Sequence, residues 1–168
     1  QVATTLFRLA LNAGLPIAER QNHSFRVRYY EPAGMDATIY SPAPDFKFIN
    51  NTPGHLLLIA KVVGDKLVYE FWGTSDARTV KFSETKVWDI TPPGPTQYIE
   101  TEDVPEGKEK CVEHAVSGAR AEFTRTVTDE AGKSITSTFR SKYRPWPEVC
   151  LVGKKTIPSP LPAAGPLP

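Results

Sequence analysis

Of the side chains suited to moving a proton near neutral pH, this sequence has three histidines, His23, His55 and His114. His23 has the richest polar company. It lies in the stretch NHSFRVRYYEPAGMDATIY, residues 22–40, close to Arg20, Arg26, Tyr29 and Tyr30. An imidazole there is a candidate general base, provided a carboxylate orients it. Asp36 and Asp45 both follow within reach of one or two strands. By spacing alone Asp36, just after PAGM, reads as a turn residue. His23, Asp36, Asp45 and His55 would be the only ligand set for a metal. Their spacing matches no HExxH or CxxC pattern, so no metal site is expected. No glycine-rich phosphate loop is present, and no cofactor is expected. Tyr29, Tyr30 and Tyr40, with Trp72 and Trp88, are candidates for stacking on a sugar or peptide. For Trp72 and Trp88 the expectation is core and cross-strand packing.

These residues must be positioned by a mainly β chain with one helix. Residues 3–14 read as that helix: Leu6, Phe7, Ala10, Leu11 and Gly14 recur at three- and four-residue spacing, and Gly14 with Pro16 ends it. SFRVRYY alternates Phe25, Val27 and Tyr29 against Arg26, Arg28 and Tyr30, the period of a half-buried strand. DATIY and DFKFIN read as short strands. LLLIAKVV and KLVYEFWG, joined by Gly64-Asp65, form the clearest hairpin. TVKFSETKVWDI continues the strands. The prolines of TPPGP, residues 91–95, mark a boundary. A second hairpin follows, ARAEFTRTVTD and SITSTFRSKY around EAGK. The expected fold is α+β and mainly β, an N-terminal helix packed on antiparallel strands, plus a small β-hairpin module. The expected division is residues 1–91, residues 92–153 and a proline-rich, extended or disordered tail, residues 154–168.

Composition narrows the function classes. Apolar residues make up 40% of the 168 residues, enough for a core, and the net charge of +1 is mixed along the chain. A nucleic-acid binder would show a one-signed basic face, and none is visible. The run at 56–63 is broken by Lys61 and is too short to span a bilayer. Cys111 and Cys150 fit no zinc or redox spacing. Two buried thiols or one disulfide satisfy that pattern. Because both flank the same hairpin, a disulfide and an oxidising compartment are expected. The start at Gln1, almost inside the helix, reads as a piece of a longer precursor.

Several stretches together resemble the VanW family of bacterial cell-envelope proteins. QVATTLFRLALNAGLPIAER is similar to that family's opening pattern, with Ala3 in place of its usual serine. NHSFRVRYYEPAGMDATIY resembles its histidine-tyrosine core, and DFKFINNTPGHLLLIA its following segment. The resemblance covers about residues 1–75. Residues 96–153 resemble, more weakly, a G-five domain, with YRPWPEVCLVG similar to its closing strand. That second likeness implies binding to glycans containing N-acetylglucosamine.

The VanW resemblance implies a peptidoglycan transpeptidase of the L,D type whose cysteine nucleophile stands immediately before Gln1. Residues 1–168 lack that cysteine and are expected to be inactive alone. His23 would be its proton acceptor and Asp36 the orienting carboxylate, at a helix N-terminus that favours a thiolate. Thr4, Thr5, Arg26, Arg28, Tyr29 and Tyr30 would hold the substrate. Peptidoglycan or wall glycan and other envelope proteins are the expected partners, in an extracellular or envelope location. The alternative is a non-catalytic wall-binding or structural component.

Overall fold

The computed structural model describes residues 1–154; the expected proline-rich tail, beyond its first residue, lies outside them. The helix α1 runs Val2–Asn12. Its end follows from Gly14. The Gly14 amide donates to the Leu11 carbonyl at 3.1 Å and the Leu15 amide to the Ala10 carbonyl at 3.0 Å. This double closure needs a left-handed residue, and Gly14 sits at φ +70°. A Cβ there would also come within 2.9 Å of the Arg78 side chain.

Eleven strands follow: β1 Ile17–Glu19, β2 Lys47–Phe48, β3 Leu57–Val63, β4 Lys66–Trp72, β5 Thr79–Phe82, β6 Lys86–Thr91, β7 Gln97–Glu106, β8 Glu109–Glu113, β9 Gly118–Thr128, β10 Ser134–Tyr143 and β11 Val149–Gly153. The fold is α+β and mainly antiparallel β, as expected. β3 and β4 form the hairpin turned by Gly64-Asp65. β9 pairs with β10 along its whole length, from Ala119 opposite Tyr143 to Thr128 opposite Ser134. Its other edge takes β5 and β6. This sheet therefore crosses the expected boundary at residues 91/92.

The core lies between α1 and one face of that sheet. Phe7, Leu11 and Phe123 are buried there, with Phe82 and Phe139 packed against them. β9 alternates as a half-buried strand must: Ala119, Ala121, Phe123 and Arg125 point inward. Arg125 reaches the end of α1 and donates to the Leu15 carbonyl at 2.8 Å. Burial still pushes the Arg125 guanidinium down from its ordinary value, and its buried Nε has no hydrogen-bond partner among the described residues.

Two expectations change. Residues 24–30 form no strand. The Ser24 carbonyl accepts the Arg144 amide, and the Tyr30 amide bonds back to the Val27 carbonyl. Arg28–Tyr30 are a turn of 3-10 helix. The alternation of residue types is not matched by burial, since Tyr29 is 71% exposed while Arg26 and Tyr30 are half-buried, and the backbone bonds go elsewhere than to a ladder. Trp72 and Trp88 are also not core residues, being 60% and 43% exposed. The β3–β4 hairpin is a two-stranded sheet, and the Trp72 indole is held at its edge by the Glu70 carboxylate at 3.0 Å.

β11 lies between β7 and β8, parallel to the first and antiparallel to the second. Cys150 on β11 is the register partner of Cys111 on β8, and the two form a disulfide. Glu109 lies beside the two sulfurs, which are spent in that bond. The bridge spans 39 residues, a loop whose closure entropy is worth about 4 kcal/mol in the unfolded chain. Replacing both cysteines by serine is expected to cost up to that amount, read as a lowered urea midpoint, with the m-value rising as the unfolded chain loses its cross-link. An unchanged midpoint would show that the three-stranded sheet does not depend on the bridge. Among the described residues no helix is long and apolar enough to cross a membrane.

Candidate functional site

The chain brings His23 and Asp36 together. Asp36 Oδ2 lies 2.7 Å from His23 Nδ1 and accepts the His23 backbone amide at 2.8 Å. An ionised carboxylate can only accept, so this contact favours the tautomer with the ring proton on Nδ1. The face of the imidazole stacks on Tyr30, ring centres 5.0 Å apart. Tyr29 packs edge-on against Tyr30 at 4.4 Å. Asp36, expected as an ordinary turn residue from spacing alone, is 3% exposed.

The first turn of α1 is tied to the same place. Thr4 Oγ1 donates to the Ala37 carbonyl at 3.0 Å and accepts the Ala37 amide at 3.1 Å. Ala37 directly follows Asp36, so the helix start and the carboxylate are fixed to one another. Burial and the Tyr29 hydroxyl push the Tyr30 phenol up, while the Thr4 hydroxyl acts on it in the opposite direction. Thr5 turns back to the Gln1 carbonyl at 3.1 Å and serves its own helix. Arg8, which the sequence did not single out, reaches from α1 to the Met35 carbonyl at 2.8 Å and also holds the Tyr30 carbonyl.

The remaining candidates line a groove of about 980 Å³ beside this cluster. One wall is Phe25 to Tyr29 with Glu31. The other is Glu113 to Ser117 with Trp146. Phe25 and Trp146 face each other with ring centres 5.3 Å apart. Arg26 is engaged with Glu31 at 2.5 Å. Arg28 is exposed and has no ion-pair partner among the described residues. Tyr29 is 71% exposed. Asp45 and His55 are not part of the site: Asp45 caps the Phe46 amide at 2.7 Å, and His55 is exposed. His114 lies on the far wall of the groove.

Asp36 has more donors than His23 supplies. Tyr143 on β10 gives its hydroxyl proton to Oδ1 at 2.5 Å, and Arg20 reaches the same oxygen at 3.3 Å. Burial pushes the Asp36 carboxyl up. The His23 amide, the Tyr143 hydroxyl, the His23 ring and the Arg20 charge together outweigh it and hold the group below the usual carboxylate range. Burial, then donation to Asp36, push the Tyr143 phenol up to about 12.

The signs give a pH dependence. Asp36 is lowered on folding, so its contribution is complete above the ordinary carboxylate value and is lost as pH falls through the lowered one. Tyr143 is raised, so its contribution is complete below an ordinary tyrosine value of about 10 and is lost as pH rises toward 12. Two pKa units amount to roughly 2.7 kcal/mol. Urea midpoints are therefore expected to fall between pH 10 and 12 in the wild-type chain and to stay flatter in Tyr143→Phe. Equal slopes in the two proteins would contradict this.

Comparison with known proteins places this cluster in a family segment. Residues 1–72 match the VanW family, described as VanW like protein. The VanW-matching segment contains α1, His23, Asp36 and Tyr30, and stops before Tyr143 and Trp146. A curated relative is the uncharacterized protein YoaR of Bacillus subtilis (strain 168), 36% identical over 74 residues, which are 44% of this chain and 24% of that protein. The match thus spans about a quarter of that relative. Two solved structures are also similar. One is an IgA1 protease G5 domain, 18% identical, covering 50% of this chain and 100% of its own, with a TM-score of 0.28. The other is HP0197-G5, 15% identical, covering 45% and 97%, with a TM-score of 0.23.

Proposed function

We propose that residues 1–154 form the acid–base and substrate-holding part of a bacterial cell-envelope protein that transfers peptidoglycan stem peptides through a cysteine thioester. The observation that carries this reading is the His23–Asp36 couple, tied through Ala37 to the first turn of α1. The nucleophile would be a cysteine immediately before Gln1. At that helix start, unpaired backbone amides and the helix dipole favour a thiolate and a developing oxyanion. Both cysteines within residues 1–168 are joined to each other, so the thiol must come from outside those residues.

The reaction would run in two halves. His23 Nε2 takes the cysteine's proton, the thiolate attacks the carbonyl of a diamino-acid residue, and the resulting imidazolium gives that proton to the departing amine of the terminal D-residue. The thioester is then attacked by the amine of a neighbouring stem peptide. His23 Nε2 takes the proton from that amine, and the thiolate leaves. Asp36 stays ionised and holds the ring. The groove beside the couple would take the donor peptide, with Arg28 facing a carboxylate and Tyr29, Phe25 and Trp146 covering apolar stem atoms. The disulfide agrees with an extracellular or envelope setting.

A second reading has its own support. The groove spans the VanW-matching segment and the residues after it, and it needs no thiol to bind. On that reading the domain holds wall glycan or peptide without chemistry.

The test uses the chain extended upstream through its native coding sequence. It is incubated with a stem tetrapeptide that ends in a diamino acid followed by a D-residue. Mass spectrometry is expected to show release of the D-residue and an acyl adduct on the residue before Gln1. Binding with no adduct, or a residue other than cysteine at that position, would leave the binding reading.

A further inference from the structure

Strand β10 brackets His23. Over three consecutive residues, Lys142 and Tyr143 at its end and Arg144 just beyond it, the chain bonds to both sides of the histidine and to its carboxylate. The Lys142 carbonyl accepts Asn22 Nδ2 at 2.9 Å. The Arg144 amide donates to the Ser24 carbonyl at 2.7 Å. Between them, Tyr143 turns its hydroxyl onto Asp36 Oδ1.

The direction of that hydrogen bond is settled by its neighbour. Tyr143 Oη accepts the Gly34 amide at 2.7 Å. Its own proton is therefore free to point at Asp36, which as a carboxylate can only accept. Gly34 stands at φ +90°, a conformation open to glycine. The carboxylate is thus divided. Oδ2 serves the amide and ring of His23, and Oδ1 serves Tyr143 and Arg20. Arg20 is itself pinned by Ser141 Oγ at 2.9 Å, again on β10, and by the Gly34 and Asp36 carbonyls at 2.7 Å. With both oxygens engaged, the carboxylate cannot rotate away from the imidazole.

Tyr143 is 4% exposed and packs with Ala33 and Ala121. A phenylalanine would fill that space equally well. The hydroxyl gives its proton to Asp36 and accepts from Gly34, with Ser141 and Arg20 also acting on it. It comes from a strand far beyond the last residue of the VanW-matching segment.

We propose that Tyr143, supported by the Arg20–Ser141 pair, is a positioning residue for the His23–Asp36 couple, so that the acid–base centre is completed by β10 and not by the family segment alone. This rests on the reading of His23 as the base. Its physical content is that Tyr143 sets which ring nitrogen of His23 carries the proton. In its absence Asp36 turns more freely, the Nδ1–H form loses its advantage, and the free base at Nε2 is less populated. Partners that fix the tautomer of a metal-ligating histidine are worth roughly 10- to 100-fold, and an effect at the low end of that range is expected for the His23–Asp36 couple.

The experiment is nitrogen NMR of the imidazole rings in the full chain, with His23 assigned from a His23→Gln spectrum. The wild-type chain is expected to show His23 held in the Nδ1–H tautomer, and Tyr143→Phe, at an unchanged fold, a mixture of both. A folded Tyr143→Phe with wild-type His23 signals overturns the proposal. Should that variant not fold, the wild-type chain still decides. A slowly exchanging Tyr143 hydroxyl proton that disappears in Asp36→Asn supports it, and its absence from the wild type overturns it. In the upstream-extended chain, Tyr143→Phe is expected to lower turnover about tenfold with little change in KM. A tautomer shift without acyl transfer by any version of the protein would leave this inference standing and sink the reaction proposed above.

Discussion

In a chain extended to carry a cysteine before Gln1, His23→Ala is expected to lower acyl transfer by roughly 10²- to 10⁴-fold, the usual contribution of a positioned general acid–base. On the proposed mechanism the loss should fall on kcat, because the ring would handle protons on the reacting amines and contribute little to binding. Folding should survive. His23 is only partly buried, and Ala leaves the backbone amide that Asp36 accepts at 2.8 Å. Asp36 then keeps three of its four donors, Tyr143, Arg20 and that amide, so no bare buried charge is created. Stem-peptide turnover and a thermal melt on the same samples check both halves. Full activity in a folded His23→Ala protein would remove the imidazole from the chemistry, and the groove would then be read as a binding site.

Phe7→Ala is expected to cost about 3–5 kcal/mol, a large part of the stability of a domain this size. Phe7 is fully buried. It meets Phe46 and Phe139 edge-on, with ring centres at 5.7 and 6.0 Å, and the Arg20 guanidinium lies 5.0 Å over its ring. The substitution opens a cavity where α1 meets the sheet. It also removes the ring under the Arg20 guanidinium, which keeps its hydrogen bonds to Ser141, Gly34 and Asp36. Phe7→Leu, which keeps most of the volume, is expected to cost under about 1.5 kcal/mol. Urea unfolding of the two variants separates cavity from shape. A loss under about 1 kcal/mol for Phe7→Ala would contradict the packing described here.

Local signals in the sequence were read well where the structure they specify is local. The Gly14 stop, the Gly64-Asp65 turn and the 119–143 hairpin each depend on residues a few positions apart. The histidine was also conspicuous, because few side chains of this sequence suit its chemistry. The strand expected at residues 24–30 failed for a different reason. A period-two pattern of residue types does not say which side chains end up covered or what the backbone bonds to, and here the Ser24 carbonyl takes the amide of Arg144, far along the chain. Trp72 and Trp88 do stand opposite Leu57 and Arg120 in their strand pairs, but they are not core, because aromatic strands look alike whether or not a second layer covers them.

By itself, then, the sequence determined the class of fold, the one helix and its end, and the presence of a histidine with an aspartate thirteen residues on. Tertiary structure decided what that pair is. Asp36 would remain a turn residue if Tyr143 and Arg20 did not converge on it, and Tyr143 is 107 residues away. Nothing in either residue's neighbourhood specifies that meeting. It follows from β9 and β10 packing on α1, and a sheet closed by long-range contacts depends on the sum of many weak burial preferences that no short stretch displays.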